Sequence, residues 1–211
     1  MKTYESINPY DGQVVGSYIG HNEQHVRHTL TRAEEASVGW RKVSVRERAQ
    51  IVAKAGKILR DNVDEYARMI TLEMGKPITE SRAEVNKCAW VCEYYAEHAA
   101  AFLAPEMIAT DATKSYVRHD PLGCVLAIMP WNFPFWQVFR FAAPALAAGN
   151  TALLKHASNV YGCAEQIVDV FAKAGAPVGV FQNLIIDHTQ TEAIIAHDTV
   201  KAVTLTGSEA A

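Results

Sequence analysis

The hydrophobic positions recur at a helical period in the first half of the chain. From Asn22 to Ala104, apolar residues return every three to four positions, which predicts about three or four amphipathic helices. Asn22 is suited to cap the first helix, and Ser44 followed by Glu47 is the capping-box pattern of another helix start. Predicted helix ends are marked by Gly75, Pro77 and Pro105. A packed aromatic helix face is predicted at Trp90, Tyr94 and Tyr95.

After Pro105 the pattern changes to short apolar runs separated by turns. Residues 115–119 alternate between apolar and polar side chains as a short strand does, and residues 124–129 form the unbroken apolar run of a strand buried on both faces. Similar runs return at residues 151–155, 181–186 and 202–206. Helical patterns lie between them at residues 135–148 and 161–174, and a second capping-box pattern from Thr189 to Glu192 opens a short helix.

This alternation of strands and helices predicts βαβ units. The expected fold class is α/β: an open, Rossmann-like parallel sheet flanked by helices and preceded by an N-terminal helical region. Right-handed crossovers place the loops that follow the strands along one edge of the sheet, where such sheets bind ligands. Three loops are expected at that edge: residues 130–134, residues 155–158, and Gly207 with Ser208.

Composition is that of an ordinary globular protein. Of the 211 residues, 49% are hydrophobic and 20% are charged, and the formal net charge is -3. Acidic and basic residues alternate along the helical stretches, which argues against a basic face for nucleic acid. No run approaches the roughly 18 apolar residues of a membrane span, and the first residues lack the apolar core of a secretory signal. We therefore expect a cytoplasmic protein with neither nucleic-acid nor membrane partners.

The four cysteines form no Cys-x-x-Cys pair, which argues against a zinc site or a redox motif. Cys88 and Cys92 share one helix face, where packing of small apolar side chains is favoured over a metal or redox role. No bound metal is expected.

Two polar residues near the first loop are candidates for substrate chemistry. Pro130 and Pro134 stiffen the loop, so the amide of Asn132 is suited to donate to an oxyanion that develops on a carbonyl. Alternatively, Asn132 closes a turn by bonding its own backbone. Arg140 follows eight residues later, about two helical turns on, and its guanidinium is suited to hold a carboxylate in the same cleft. The alternative for Arg140 is a surface or interhelix salt bridge.

Lys155 and the Gly207-Ser208 pair are weaker signals. A lysine at a strand end is more often solvated than bound to a ligand, and a Gly-Ser dipeptide attracts phosphate only where a helix begins. The Gly-x-Gly-x-x-Gly fingerprint of Rossmann dinucleotide sites is absent from the sequence. Spacing alone therefore predicts no dinucleotide.

A series of segments, taken in order and at their spacing, resembles the aldehyde dehydrogenase superfamily. The segments are Asn-Pro-Tyr-Asp-Gly at 8–12, Glu-Met-Gly-Lys-Pro at 73–77, Leu-Ala-Ile-Met-Pro-Trp-Asn-Phe-Pro at 126–134, Pro-Ala-Leu-Ala-Ala-Gly-Asn-Thr at 144–151, Leu-Lys at 154–155 and Thr-Gly-Ser at 206–208. His156 replaces the commoner proline and is similar to one bacterial succinate semialdehyde dehydrogenase branch, although a surface histidine alone is a weak signal.

The resemblance implies roles on the substrate side of the cleft. Asn132 is expected to be the oxyanion donor, and Arg140 to bind the distal carboxylate of the aldehyde, because enzymes for apolar aldehydes carry an aromatic residue there. Phe133 and Trp136 are assigned to the same side.

The resemblance also implies a nicotinamide cofactor, NADP or NAD. Lys155 is expected to reach the adenosine ribose. At the position of Ser158 a glutamate would repel a 2'-phosphate, so the serine favours NADP. The other expected cofactor contacts are Ile128, Met129, Trp131, Gly207 and Ser208.

In this family a cysteine thiolate attacks the aldehyde, and the thiohemiacetal is oxidised to a thioester that water hydrolyses. That cysteine lies beyond the Gly-Ser motif, so we expect an N-terminal fragment that is inactive and aggregation-prone alone. The expected parts are a helical section of the cofactor-binding domain at 1–110, an oligomerisation-arm strand at 111–123 and the Rossmann-like section at 124–211, with the catalytic domain absent.

The expected activity is oxidation of an aldehyde to an acid, with succinate semialdehyde favoured as the substrate. The parent enzyme is expected to be a homodimer or homotetramer. Two alternatives stay open: an aldehyde dehydrogenase of other specificity, and a non-catalytic nucleotide-binding protein.

Overall fold

The computed structural model describes residues 2–208. Its strands are β1 (Thr3–Ile7), β2 (Val14–Ile19), β3 (Glu106–Met107), β4 (Tyr116–Val117), β5 (Cys124–Met129), β6 (Thr151–His156), β7 (Phe181–Asn183) and β8 (Val200–Leu205). Its helices are α1 (Glu23–Trp40), α2 (Val45–Asp61), α3 (Val63–Met74), α4 (Ile78–Phe102), α5 (Trp136–Ala147), α6 (Tyr161–Ala174) and α7 (His188–Ile195).

A parallel sheet in the order β7-β6-β5-β8 forms the centre of the fold. Strand β5 lies between β6 and β8, so the register pairs Ile128 with Lys155 on one side and with Leu205 on the other. All residues of β5 except Ile128 are buried, as expected for an unbroken apolar run covered on both faces. The predicted α/β class with a parallel sheet is confirmed.

Helices cover both faces of this sheet. On one face, Leu30 and Ala33 of α1 join Leu126 and Leu153 in a small apolar cluster. On the other face lie α5 and α6, and α2, α3 and α4 pack against those two helices to form the larger core. The helical N-terminal region and the sheet therefore share one continuous interior.

Most predicted helix boundaries are confirmed. The side chain of Asn22 accepts a hydrogen bond from the backbone N–H of His25 at 2.8 Å, and Ser44 with Glu47 makes the reciprocal capping box. Helix α3 ends at Gly75, whose φ of 75° lies in the left-handed region that glycine adopts without strain. Helix α4 ends at Phe102, ahead of Pro105.

The N-terminal region begins with an antiparallel hairpin that the sequence pattern did not predict. Strands β1 and β2 pair around a turn in which the N–H of Gly12 donates to the carbonyl of Asn8 at 2.8 Å. Ser6 is the only buried residue of the two strands. Because the hairpin places so few apolar side chains in the core, its alternation is too weak to indicate strands, and residues 1–110 are not purely helical.

The second predicted capping box is wrong. Helix α7 begins at His188, and its N-cap is Asp187, whose carboxylate accepts from the N–H of Thr189 at 3.0 Å. Thr189 already lies inside the helix, because aspartate is as good a cap and precedes it. Four strands also differ in their bounds. The strand predicted at residues 151–155 extends by one residue in β6, and the one predicted at 202–206 shifts to β8. Residues 115–119 shorten to β4, which pairs with β3, and residues 181–186 shorten to β7.

The packed aromatic face predicted on α4 is confirmed only for Tyr95, which packs against the larger core. Trp90 and Tyr94 are 56% and 38% exposed, and they stack in a row with His98 and Phe102 on the outer side of the helix. The inner side of α4 instead presents small side chains because α2 approaches it closely. These inner residues are Cys88, Ala89 and Cys92.

Candidate functional site

The carboxyl ends of β5 and β8 border a cleft of about 350 Å³. The two strands are parallel neighbours, so the loops that follow them meet at the same sheet edge. The cleft is lined by Pro130, Trp131, Asn132, Gln137, Thr206, Gly207 and Ser208. Two of the loops predicted for this edge therefore share one cleft.

Asn132 is exposed at this cleft, in the loop between β5 and α5. Within residues 2–208, no hydrogen bond joins its side chain to another residue, so the alternative in which Asn132 closes a turn is not observed. A primary amide carries two N–H donors. As far as the described residues go, both are available to a ligand in the cleft.

The end of the Asn132 loop is anchored by His156, which is buried rather than on the surface. The N–H of Ala157 donates to its Nδ1 at 2.9 Å, so the proton lies on Nε2, which donates to the carbonyl of Pro134 at 2.9 Å. Burial lowers the pKa of His156 to about 4, and the imidazole is neutral at neutral pH. The residue fixes the loop and carries no charge into the cleft.

Lowering the pH from about 7 to about 5 is expected to destabilise the protein through His156. Because the pKa is about 4 in the folded protein and about 6.5 in an unfolded chain, the unfolded state binds the proton first. The stabilisation is complete above about pH 6.5 and is lost as the pH falls towards 4. Its loss at pH 5 is about 2 kcal/mol, measured by denaturant unfolding at both pH values.

The matched control for this measurement is His156→Gln. Burial also lowers the pKa of His21 to about 4, so the absolute pH dependence contains another histidine. The difference between the wild type and His156→Gln isolates the contribution of His156. Equal pH dependence of the two proteins would contradict the assignment.

Helix α5 begins directly after the Asn132 loop and receives its cap from another helix. Oε1 of Glu84, in α4, accepts from the N–H groups of Phe135 and Trp136 at 2.9 and 3.0 Å. The sequence did not reveal Glu84 as a site residue, because it is one of many charged positions on an amphipathic helix. Only the motif at residues 73–77, which contains its ion-pair partner Lys76, hinted at this region.

Arg140 borders a neighbouring groove rather than the Asn132 cleft itself. That groove has a volume of about 710 Å³ and also contacts Trp136 and Thr204. The Arg140 Nη2 atom donates to Oγ1 of Thr206 at 3.1 Å, and Thr206 lines the Asn132 cleft. The predicted common cleft is thus corrected to two adjoining spaces that meet at Thr206. The helical count from Asn132 failed because α5 begins only at Trp136.

Phe133 and Trp136 lie against α4, in a third groove of about 250 Å³ next to Glu84. The Nζ of Lys76 lies 3.7 Å from the centroid of the Phe133 ring, and the Nζ of Lys87 lies 3.9 Å from the centroid of the Trp136 ring. Trp136 borders both this groove and that of Arg140. Phe133 does not line the Asn132 cleft.

The predicted cofactor contacts spread across the sheet edge. Ile128 lies between Lys155 and Leu205 in the register, and Met129 is buried behind the edge. Lys155 is half-buried, and burial lowers its pKa, an effect that nearby Asp187 opposes. Ser158 is exposed in the following loop. Lys155 and Ser158 therefore lie one strand away from the Asn132 cleft.

Carboxylates cap the N-termini of the helices that follow β5, β6 and β7. Glu84 does so for α5, and Asp187 does so for α7. Glu73, on α3, closes α6 by accepting from the N–H groups of Gly162 and Cys163, both at 2.8 Å. A phosphate would be repelled at these three positions. Gly207 and Ser208 follow the remaining strand, β8, and the helix predicted to begin there lies outside the described residues.

The cysteines are structural. Cys88, Cys92, Cys124 and Cys163 are buried, and burial raises the pKa of each thiol. Among residues 2–208, no group of three or more His, Cys, Asp or Glu side chains is arranged to hold a metal ion. In the same part of the chain, every helix is too short or too polar to cross a membrane.

Comparison with known proteins gives matches along the whole chain. The model of the Aldehyde dehydrogenase family matches residues 1–211. A probable succinate-semialdehyde dehydrogenase (NADP+) of Synechocystis sp. is 50% identical over 206 residues, which are 98% of this chain and 45% of that protein. A succinate semialdehyde dehydrogenase (NAD(P)+) of Escherichia coli is 43% identical over 203 residues, covering 96% of this chain and 44% of that protein.

Solved structures give the same result. The succinic semialdehyde dehydrogenase of Streptococcus pyogenes in complex with NADP+ is 36% identical with a TM-score of 0.94, covering 98% of this chain and 46% of that one. The chain spans about half the length of the curated relatives it matches. By its sequence along its whole length and by its fold, the chain belongs to the aldehyde dehydrogenase family.

Proposed function

We propose that the chain supplies the cofactor-binding part, and half of the active site, of an NADP-dependent enzyme that oxidises succinate semialdehyde to succinate. The observation that carries the proposal is the single cleft lined by Asn132, Gly207 and Ser208. It combines an amide donor suited to a carbonyl oxygen with exposed backbone suited to a phosphate. The names of the Synechocystis and Streptococcus relatives, which specify this substrate and NADP, support the proposal.

Each side chain has a distinct task in this proposal. Asn132 donates to the aldehyde oxygen as it gains negative charge during attack by a thiolate. The thiolate comes from outside these residues, because the buried cysteines do not reach the cleft and burial keeps them protonated. Arg140 holds the distal carboxylate of the substrate, and its bond to Thr206 keeps it beside the Asn132 cleft. The cofactor, when bound, accepts the hydride.

The residues at the sheet edge fit a phosphorylated dinucleotide. Lys155 offers a cation at the end of β6, and the neutral hydroxyl of Ser158 leaves room for a 2'-phosphate. With the starts of α5, α6 and α7 closed by carboxylates, the pyrophosphate is assigned to Gly207 and Ser208. This is the position that the family resemblance also implies.

The full-length protein tests the function directly. Succinate semialdehyde is expected to give NADPH, and its methyl ester, which lacks the distal charge, is the matched substrate that should react much less efficiently. The 211-residue chain alone is expected to give no NADPH. Absence of aldehyde-dependent NADPH formation by the full-length protein would reject the activity, whereas equal kcat/KM values for the acid and the ester would reject only the substrate.

Replacing Ser158 with glutamate is expected to shift the cofactor preference from NADP towards NAD by about tenfold or more. The new carboxylate would repel the 2'-phosphate and accept a hydrogen bond from the 2'-hydroxyl of NAD. The measurement is kcat/KM for both cofactors, with Ser158→Gln as the uncharged control of equal length. A Glu variant whose NADP-to-NAD ratio equals that of the Gln variant would count against this role of Ser158.

A further inference from the structure

We propose that the buried pair Lys76–Glu84 is a positioning device for the oxyanion donor Asn132. This inference rests on the proposed function and adds to it residues that never touch the substrate. Glu84 lies on α4 and Lys76 in the segment that precedes α4, whereas Asn132 follows β5. The pair therefore joins the helical N-terminal region to the cleft.

Glu84 accepts hydrogen bonds from two places at the same time: the backbone at the start of α5 and the side chain of Lys76. While its Oε1 accepts from Phe135 and Trp136, its Oε2 accepts from the Nζ of Lys76. The side chains of Lys76 and Glu84 are only 7% and 1% exposed. The carboxylate is thus held by three donors at a position that is almost completely buried.

Lys76 holds the loop at a second point. Its Nζ lies over the ring of Phe133, the residue next to Asn132, while His156 bonds the carbonyl of Pro134. Every residue from Phe133 to Trp136 is consequently fixed by a contact to Lys76, His156 or Glu84. Asn132 directly precedes this stretch, so the stretch limits where the backbone of Asn132 lies and hence the directions in which its amide can donate.

Burial of the pair carries a desolvation cost. Removing a lysine and a glutamate from water costs several kcal/mol per ion in general, and an apolar pair of similar volume is often as stable. An ion pair does offer directional bonds to particular backbone groups, which an apolar pair cannot make. This points to orientation of the loop as its contribution.

Glu73 provides a matched control within the same chain. It is also a buried glutamate, and it caps a different helix, through Gly162 and Cys163 at the start of α6. Its contacts do not include the Asn132 loop. Glu73→Gln should therefore destabilise the protein in the same manner as Glu84→Gln without moving Asn132.

The first measurement is steady-state kinetics of the full-length enzyme. Glu84→Gln is expected to lower kcat about tenfold, because a donor misplaced by a fraction of an ångström stabilises the transition state poorly, while the KM for NADP stays nearly constant. Glu73→Gln, at a similar loss of Tm, should keep kcat within about twofold. Equal losses of kcat in the two variants would overturn the proposal.

The second measurement reports the conformation of the loop and does not depend on enzymatic activity. In the full-length protein labelled with fluorotryptophan, the fluorine resonance of Trp131, assigned with Trp131→Phe, should be single in the wild type and broadened or doubled in Glu84→Gln. Glu73→Gln should leave it unchanged. If Glu84→Gln does not fold, Lys76→Met replaces it and should give the same spectral change. An unaltered Trp131 resonance would overturn the proposal, whereas an inactive wild type with the expected spectra would reject only the proposed function.

Discussion

Asn132→Ala is expected to lower kcat of the full-length enzyme by about 100-fold to 1,000-fold, the usual effect of removing one oxyanion donor. The amide is exposed to the cleft and makes no competing hydrogen bond within residues 2–208, so its removal costs transition-state stabilisation without disturbing a structural contact. The KM for NADP should change little. Steady-state kinetics with succinate semialdehyde at saturating NADP give both values.

Asn132→Asp is the control for this expectation. Aspartate has the same size, but its ionised side chain accepts hydrogen bonds and donates none, and its charge opposes a developing oxyanion. It should be at least as inactive as Asn132→Ala. Near-normal kcat in Asn132→Asp would show that donation from this position is not part of the reaction.

Arg140→Leu should reduce kcat/KM for succinate semialdehyde by about 30-fold to 100-fold, mostly through a higher KM. A charge-assisted bond to a carboxylate contributes roughly 1.5–3 kcal/mol, and leucine removes it while keeping an apolar side chain in the groove that Trp136 also lines. The methyl ester of the substrate carries no carboxylate. Its kcat/KM should be nearly the same in the variant and the wild type.

A conservative change at the same position separates charge from geometry. Arg140→Lys keeps the positive charge but loses the planar fork, so an intermediate kcat/KM is expected. If Arg140→Leu lowered kcat/KM equally for the acid and the ester, the cause would instead be loss of the contact with Thr206, which anchors β8 and the cleft. The assignment of the substrate carboxylate to Arg140 would then be rejected.

The sheet was predictable because its signal is local. An uninterrupted apolar run such as residues 124–129 is typical of a strand covered on both faces, and the carboxyl-end rule then brought Asn132 and Gly207 to one edge. The hairpin β1–β2 was not predicted, because Ser6 is the only buried residue in its two strands. Strand prediction from hydrophobic period requires a buried face, and this hairpin has almost none.

The support of the site was not predictable, because its contacts join residues far apart in the chain. Glu84 bonds the N–H of Phe135 from 51 positions away, and His156 bonds Pro134 across 22 positions. In the sequence, Glu84 looks like an ordinary surface charge on an amphipathic helix, and His156 looks like an ordinary residue at the end of a strand. The single cleft predicted for Asn132 and Arg140 was wrong for a local reason, because the eight-residue helical count ran through the loop that precedes α5, which begins at Trp136.

The capping of α5 by Glu84 and of α6 by Glu73 also has a consequence for how the molecule unfolds. Each glutamate belongs to the helical N-terminal region, and each satisfies backbone groups of a helix in the parallel-sheet region. If either region were separated from the other, two carboxylates would lose their donors and two helices their caps. We therefore expect residues 2–110 and 124–208 to unfold together, as a single cooperative unit.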